Sequence, residues 1–285
     1  FWRRWSDAQL RELADYGEEH HVRLWLWRNS KELRDPKARR EFFKRCQDLG
    51  IAGVKIDFFD HEAKEVIDFY QVLLKEAAEN KLMVNFHGAN KPTGEARTWP
   101  NELTREAVRG LESGGIRAQH DTTVPFTRLL AGHTDYTPVH FGALRGGTSW
   151  AHQIASAAIL TSPLLTYAAH PKNILENPGV EMMKSIPSAW DETIVLPPSE
   201  IGEIAVFARR SGNMWFLAIM NGPAARTLKI PLSFLREAEY HALLIRDAKD
   251  DAAAVRIENT TVKRSDSLAI ILREGGGFIA RFSTN

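Results

Sequence analysis

The chain has 285 residues, of which 44% are hydrophobic and 26% charged, and its 37 basic and 36 acidic side chains leave a formal net charge of +1. This balance carries no electrostatic signature of a nucleic-acid-binding protein, and no apolar run approaches the roughly 20 residues of a membrane-spanning helix. The single cysteine, Cys46, excludes an internal disulfide framework and a cysteine-based zinc site. What remains is a globular protein with enough apolar residues for a sizeable core.

Helical and strand patterns alternate from the start of the chain. Ser6-Asp7-Ala8-Gln9 has the form of a capping box and predicts a helix over about 6–20. Asp35-Pro36 opens a second helix, whose apolar face includes Cys46 and therefore predicts a buried, structural cysteine. Apolar residues at a spacing of three to four predict a third helix over 66–77. The strands predicted between these helices are Val22–Trp27, Gly53–Phe58 and Leu82–His87.

Shorter candidates continue this pattern to about residue 187. The strand candidates are 108–112, 115–120, 136–141 and 157–167, and the helical candidates are 123–131 and 149–156. Alternation of this kind predicts parallel βαβ units. We expect an α/β fold in which residues 1–187 form a (β/α)8 TIM-type barrel without its first strand. Such barrels usually take about 250 residues, so the barrel is expected to be N-terminally truncated.

Residues 188–285 lack helical periodicity. Their pattern is instead that of alternating antiparallel strands. Asn221-Gly222-Pro223 and Gly275-Gly276-Gly277 are turn signals between them. The predicted strands are Ile204–Arg209, Met214–Met220, Thr227–Leu232, Tyr240–Arg246, Val255–Glu258, Leu268–Leu272 and Phe278–Phe282. We expect a C-terminal antiparallel β-sandwich domain over 188–285.

Polar residues at the ends of the predicted barrel strands are the candidate site residues, because the βα loops of a barrel converge at that end. Asp57 lies in an otherwise apolar strand, where an unpaired carboxylate would be costly. Lys55 lies two residues earlier and faces the same side. A salt bridge to Lys55, or an N-cap for the following helix, explains Asp57 as well as a functional role does.

His87 ends the next predicted strand and precedes a small, polar loop over 88–94, which suits the close approach of a ligand. A structural role in capping this loop is the alternative for His87. Glu106 and Glu112 bracket a short stretch that resembles a strand. For Glu106, the alternative is an exposed helical turn paired with a neighbouring arginine.

Two carboxylates at different strand ends are the requirement of glycoside hydrolysis, in which one captures the anomeric carbon and the other protonates the leaving oxygen. Competing chemistries lack their motifs. The sequence contains no G-x-S-x-G elbow, no phosphate-binding G-x-x-x-x-G-K-[ST] loop, no G-x-G-x-x-G fingerprint and no H-E-x-x-H zinc motif.

Long motifs follow one another along nearly the whole chain. They are Gly53–Phe59, Leu82–Gly94, Arg97–Asn101, Leu103–Glu112, Thr122–Arg128, Asp135–Pro138 and Trp190–Thr193. Together they resemble glycoside hydrolase family 97, and the first four resemble its catalytic core. Because these motifs are long, the resemblance is much more specific than a single short motif.

The resemblance implies a three-part α-glycosidase with an N-terminal β-supersandwich, a (β/α)8 barrel and a C-terminal β-domain. The N-terminal domain and the first barrel strand are expected to lie outside this sequence, with that domain packed on the barrel. Carboxylate ligands of the family's Ca2+ ion match Glu106 and Glu112. A further carboxylate ligand comes from the N-terminal domain, so the calcium site is expected to be incomplete in this chain.

The resemblance also implies a mechanism. Inverting α-glucosidases of the family carry a glutamate directly after the histidine of the fourth strand, where this sequence has Gly88 after His87. Retaining members, typified by α-galactosidases, use an aspartate at the end of the third strand, which matches Asp57. Asp57 is thus implied as the nucleophile and Glu112 as the general acid/base, with Lys55 and His87 binding the substrate.

A retaining, exo-acting α-glycosidase, with α-galactosidase as the favoured activity, is the first hypothesis. An inverting α-glucosidase and a catalytically inactive carbohydrate-binding remnant are the alternatives. The expected partner is an oligosaccharide or glycoside substrate. Binding to nucleic acid or to a membrane is not expected. The family implies a periplasmic or secreted bacterial protein, although residues 1–5 lack the features of a signal peptide.

Overall fold

The computed structural model describes residues 5–284, which divide into two compact units, one ending at Val108 and the other beginning at Arg109. This division does not test the predicted domains 1–187 and 188–285, which stay a prediction. In the described part of the chain, no helix combines the length and the apolar character that crossing a membrane requires.

The first unit is built on a parallel sheet of four strands in the order β1-β2-β3-β4. The strands are β1 (Trp25–Asn29), β2 (Gly53–Asp57), β3 (Met83–Phe86) and β4 (Glu102–Arg105). The helices are α1 (Asp7–Glu19), α2 (Pro36–Asp48), α3 (Lys64–Glu79) and the short α4 (Glu95–Thr98), and a 3-10 helix covers Ser30–Leu33.

Local signals account for the starts of the first two helices. The capping box at Ser6 is formed, since its side chain accepts from the backbone N–H of Gln9 while the Gln9 side chain accepts from the backbone N–H of Ser6. Asp35 caps α2 through the backbone N–H of Ala38. Cys46 is buried within α2, and burial raises the pKa of its thiol to about 12, which confirms the predicted structural cysteine.

Strand β2 has an apolar face toward the core and a polar face that carries candidate site residues. Val54 and Ile56 are fully buried in the apolar core between the sheet and its helices, whereas Lys55 and Asp57 are half-buried on the other face. The predicted common face of Lys55 and Asp57 is therefore confirmed. Since all four strands are parallel, the residues that follow them meet at one edge of the sheet.

The second unit combines short helices with antiparallel sheets. Its α-helices are α5 (Ala118–Thr123), α6 (Trp150–Ile159), α7 (Pro171–Leu175) and α8 (Val180–Ser185). Its strands are β5 (Glu192–Val195), β6 (Ile204–Ser211), β7 (Met214–Asn221), β8 (Arg226–Pro231), β9 (Glu239–Asp247), β10 (Val255–Lys263), β11 (Ser267–Leu272) and β12 (Gly277–Ser283). Its 3-10 helices cover Leu111–Ser113, Val124–Phe126, Arg128–Ala131 and Ala143–Arg145.

Strands β5–β12 form two antiparallel sheets, one of six strands in the order β10-β9-β12-β7-β6-β5 and one of two strands, β11-β8. Buried apolar residues of both sheets belong to one core. The seven strands predicted after residue 200 are confirmed, while β5 was missed. An α/β chain with a C-terminal antiparallel sheet is thus established.

The strands predicted at 108–112, 115–120, 136–141 and 157–167 are wrong. A 3-10 turn, helix α5, irregular backbone and the end of α6 followed by a loop occupy those positions instead. Residues 151–159 are all buried, and an apolar segment buried on every side shows no helical period. Among residues 5–284, parallel pairing is confined to four strands, so the predicted truncated TIM-type barrel is not confirmed.

Candidate active site

Asp57, His87 and Glu106 meet at one edge of the parallel sheet. Asp57 is the last residue of β2, His87 directly follows β3 and Glu106 directly follows β4. These strands are neighbours in the sheet, so their C-terminal ends place the three side chains side by side. This placement agrees with the strands predicted for Asp57 and His87, whereas β4, the strand before Glu106, was not predicted.

Both oxygens of the Asp57 carboxylate are held by N–H donors. The indole N–H of Trp27 donates to Oδ2 at 3.0 Å, and the backbone N–H of Phe58 donates to Oδ1 at 2.7 Å. Helix α3 begins beyond Ala63, its N-cap residue, so the alternative that Asp57 caps this helix is wrong. A carboxylate fixed in this way, at a sheet edge, can act as a nucleophile or as a hydrogen-bond acceptor for a bound ligand.

Gly88 leaves little room for a side chain beside Asp57. Its φ is +51°, and a Cβ atom at this position would lie 3.1 Å from Oδ1 of Asp57 and 3.1 Å from the backbone nitrogen of Phe58. Any larger residue would have to displace the carboxylate or the backbone after it. The close approach of these two loops therefore depends on glycine.

Glu106 links the ends of β3 and β4. Its Oε2 accepts from the backbone N–H of Gly88 at 2.7 Å and lies 3.3 Å from Nδ1 of His87. The side chains of His87 and Glu106 are only 5% and 14% exposed, so both are held in place. Glu106 follows a strand, and the alternative of an exposed helical turn is wrong.

Glu112 lies in the second unit, on the 3-10 turn Leu111–Ser113, and is exposed. The predicted strand-like stretch before it is absent. Instead, the backbone N–H of Leu111 donates to the carbonyl of Tyr136 at 3.1 Å, and a Cβ atom on Gly110 would lie 2.8 Å from that carbonyl. Close contact with residue 136 therefore fixes the turn that carries Glu112.

A buried ionic cluster supports the loop after His87. Arg105 is 1% exposed, and its guanidinium donates to Glu102 at 2.7 Å and to Asn90 at 2.6 Å, with Glu95 at 3.5 Å. The guanidinium also lies over the ring of Tyr70 at 4.6 Å. Burial raises the pKa of Glu102, and the positive charge of Arg105 offsets part of this shift. The cluster anchors the loop to the interior.

Two residues of this region were missed by the sequence analysis. Trp27 pairs with Lys55 across the β1–β2 ladder, which brings its side chain to the face of Lys55 and Asp57. Alternation along β1, with Leu26 buried in the core, is a signal that identifies this face. Arg105 had no such signal, since nothing in its spacing predicts a fully buried arginine.

Two sequence profiles of one family match most of the chain. The profile described as "Glycoside hydrolase 97" matches residues 1–108, and the one described as "Glycosyl-hydrolase 97 C-terminal, oligomerisation" matches residues 189–283. The first match includes Asp57, His87 and Glu106.

Individual relatives are similar over 96% of the chain. The chain is 33% identical to a probable retaining alpha-galactosidase of Streptomyces bingchenggensis and 30% identical to a retaining alpha-galactosidase of Bacteroides thetaiotaomicron, covering 43% and 44% of them. It superposes with a TM-score of 0.88 and 29% identity on a glycoside hydrolase family 97 enzyme in complex with acarbose, from Pseudoalteromonas sp. strain K8, covering 48% of that chain. The chain therefore spans less than half the length of each.

Proposed function

The chain belongs to glycoside hydrolase family 97, and from this membership we propose that it carries the catalytic residues of a retaining, exo-acting α-glycosidase. An α-galactosidase is the favoured activity. The two curated relatives described above, named as a probable and a retaining alpha-galactosidase, support this choice.

The surroundings of Asp57 carry the proposal. Asp57 is fixed at the sheet edge by Trp27 and by the backbone of Phe58, while the position after His87 is Gly88, where a Cβ atom would already press on the carboxylate. A glutamate there would be strained at this φ and would require Asp57 or the backbone of Phe58 to shift by a few tenths of an ångström. This arrangement favours the retaining mechanism over the alternative of an inverting α-glucosidase.

In the proposed mechanism, Asp57 attacks the anomeric carbon and forms a covalent glycosyl-enzyme, while Glu112 donates a proton to the departing oxygen. Glu112 then removes a proton from the water that hydrolyses this intermediate, so that the anomeric configuration is retained. Lys55 and His87 bind hydroxyl groups of the sugar. The mechanism requires the carboxyl groups of Asp57 and Glu112 to lie about 5–6 Å apart in the working enzyme.

A Ca2+ ion is part of the proposal. Ca2+ prefers oxygen ligands. The carboxylate of Glu106 offers oxygen atoms, whereas the imidazole of His87 offers only nitrogen. Glu106 and Glu112 would each supply a ligand, and the ion would add positive charge that orients Glu112 and tunes its acidity. A chelator should abolish the activity of the full-length protein, and added Ca2+ should restore it. In the Glu106→Gln variant, added Ca2+ should not restore activity. Chelator-insensitive activity would contradict this role of the ion.

We also propose the finer architecture and location that the family implies. The four parallel strands would belong to a (β/α)8 barrel completed outside this sequence, with an N-terminal β-domain packed on it, and the C-terminal sheets would form a β-sandwich. The protein would work in the periplasm or outside the cell. A crystal structure of the full-length protein and fractionation of the host cells test these two points.

The decisive experiment compares hydrolysis of nitrophenyl α-galactoside and α-glucoside by the full-length protein. We expect turnover of the galactoside, and proton NMR should detect α-galactose as the first product. Preferred turnover of the glucoside with a β-configured product would support the inverting alternative. Turnover of neither substrate would support the inactive carbohydrate-binding remnant.

A further inference from the structure

Two exposed aromatic side chains flank Asp57. Trp27 is 40% exposed and Phe58 is 51% exposed, although large apolar side chains usually become buried. Their ring centroids lie 6.0 Å apart with the planes at 78°, the edge-to-face geometry of a favourable aromatic pair. Each ring therefore keeps part of its surface accessible beside the proposed nucleophile.

Trp27 is also joined to the carboxylate itself. Its indole N–H donates to Oδ2 of Asp57 at 3.0 Å, and the backbone N–H of Phe58 holds Oδ1. Indole is a donor only, so this contact directs an N–H at one defined oxygen. The side chain that presents the aromatic surface thus also sets the orientation of the carboxylate.

The backbone at Phe58 is held in a conformation that a bulky residue rarely adopts. Its φ is +67°, and its carbonyl accepts from the hydroxyl of Ser30 at 2.7 Å. The next residue, Phe59, is buried against Tyr70 with ring centroids 4.3 Å apart, and its N–H donates to the carbonyl of Gly88. Phe59 therefore enters the core while Phe58 is turned outward. Glycine would adopt this φ without strain, whereas phenylalanine carries the strain with its side chain half exposed.

We propose that Trp27 and Phe58 form an aromatic platform that packs against C–H groups of the pyranose ring attacked by Asp57, and that Trp27 also positions Asp57 through its indole N–H. This inference rests on the proposed glycosidase function and adds its sugar-binding surface. Contact between the ring hydrogens and the two aromatic side chains excludes water from both partners without requiring a hydrogen bond.

Three variants of the full-length protein separate the two roles of the platform. Trp27→Phe keeps an aromatic face but removes the N–H, so kcat should fall about tenfold or more with little change in KM. Trp27→Ala removes both, so KM should rise as well. Phe58→Gly removes the ring and relieves the positive φ, so KM should rise while the midpoint of urea unfolding stays the same or increases.

Trp99→Phe is the matched control. The indole N–H of Trp99 donates to Gln71 at 2.9 Å, and Trp99 precedes β4, at the end of the strand opposite to Glu106. This variant loses one indole hydrogen bond, as Trp27→Phe does, but away from the site. Its kcat and KM should remain those of the wild type.

Calorimetric titration with galactose gives a readout that does not depend on turnover. We expect weaker binding by Trp27→Ala and Phe58→Gly than by the wild type and Trp99→Phe. If the wild type hydrolyses α-galactosides while the platform variants match its kinetic constants and its affinity for galactose, the platform is wrong and the proposed function stands. If the wild type binds galactose without hydrolysing any α-glycoside, the proposed function is wrong, and the affinities of the variants alone decide on the platform. A wild type that neither hydrolyses nor binds contradicts both.

Discussion

At the scale of single residues, the site depends on which groups surround one carboxylate. Asp57 has a side-chain donor on Oδ2 and a backbone donor on Oδ1, and Gly88 approaches it so closely that a Cβ atom would lie 3.1 Å away. None of these contacts contributes to the apolar core, which lies on the other face of the sheet. Asp57 is therefore a residue whose loss should affect chemistry more than folding.

Replacing Asp57 by glycine tests this directly. The Asp57→Gly variant of the full-length protein should lose turnover while keeping its unfolding midpoint, because the proposed nucleophile is removed whereas the apolar core lies on the other face of the sheet. Added azide or formate should restore part of the activity by attacking from the vacated space, and the product should have the inverted configuration. Retention of wild-type turnover without an added anion would rule out Asp57 as the nucleophile.

At the scale of elements, a buried charge cluster determines the path of the loop between β3 and α4. Arg105 on β4 binds Asn90 within the loop and lies close to Glu95 at its end, while Thr93 donates to Glu95 from its backbone at 2.9 Å. Burial opposes ionisation of Glu95, but hydrogen bonds from its own backbone and from Thr93, with the charge of Arg105, lower its pKa. The loop that carries Gly88 is thus anchored by ionic contacts.

Removing the arginine should destabilise this unit strongly. Arg105→Met keeps an unbranched aliphatic stem but leaves the buried carboxylates without their cation, so the free energy of unfolding in urea should fall by about 3–5 kcal/mol. Lys64→Met is the control, because it breaks the exposed Lys64–Asp68 pair on α3 and should change stability little. Equal effects of the two variants would show that the buried cluster contributes no more than a surface pair.

The end of β9 gives a second prediction at this scale, one that depends on pH. Asp247 accepts hydrogen bonds from the side chain of Ser149, just before α6, and from the backbone of Gly277 and Arg273. Burial raises the pKa of Asp247, and these hydrogen bonds together with the nearby His152 offset only part of the shift. The folded protein therefore holds this proton more tightly than the unfolded chain does.

The free energy of unfolding of the wild type minus that of Asp247→Asn should consequently fall as pH rises. The decline should begin near the ordinary aspartate pKa of about 4 and end above the raised folded-state pKa, because in this window the unfolded chain ionises first. Urea unfolding across this range measures the difference, with the exposed Asp250→Asn variant as control. A difference that rises with pH would show that the folded-state pKa is lowered instead.

At the scale of the whole molecule, buried polar contacts join the segments before and after residue 187 into one unit. Nε2 of His152 on α6 lies 3.1 Å from Oδ2 of Asp121 on α5, and its Nδ1 lies 3.0 Å from the carbonyl of Gly276, just before β12. The hydroxyl of Tyr136 donates to the other oxygen of Asp121. All three side chains are at most 2% exposed, so each contact is protected from water.

His152→Leu should therefore loosen both segments together. Loss of the imidazole leaves Asp121 and the Gly276 carbonyl short of one buried partner, so stability should fall by about 1–3 kcal/mol. Hydrogen exchange should speed up in α6 and β12 alike, whereas β10, at the far edge of the six-stranded sheet, should change less. Faster exchange confined to α6 would mean that the two segments unfold independently.

The sequence by itself determined local features of this protein and indicated candidate residues for its site. The capping box at Ser6 follows from contacts between near neighbours, the buried Cys46 from the apolar face of a helix, and the antiparallel strands after residue 200 from strand patterns. All three signals are visible in a short stretch of chain. Long family motifs then singled out Asp57, His87 and Glu106.

Only the tertiary structure decided which distant groups meet. The bond from Trp27 to Asp57 and the contacts of Glu106 with His87 and Gly88 cross neighbouring strands, so they depend on strand register and on the reach of each side chain. The burial of Arg105 likewise depends on Asn90 and Tyr70, which lie outside its own strand. The sequence analysis predicted a strand that included residues 157–159, but these residues end α6. Because α6 is buried on every side, its sequence lacks the periodicity that distinguishes a helix from a strand. Local patterns record which face of an element is apolar, whereas the partner of that face is set by packing.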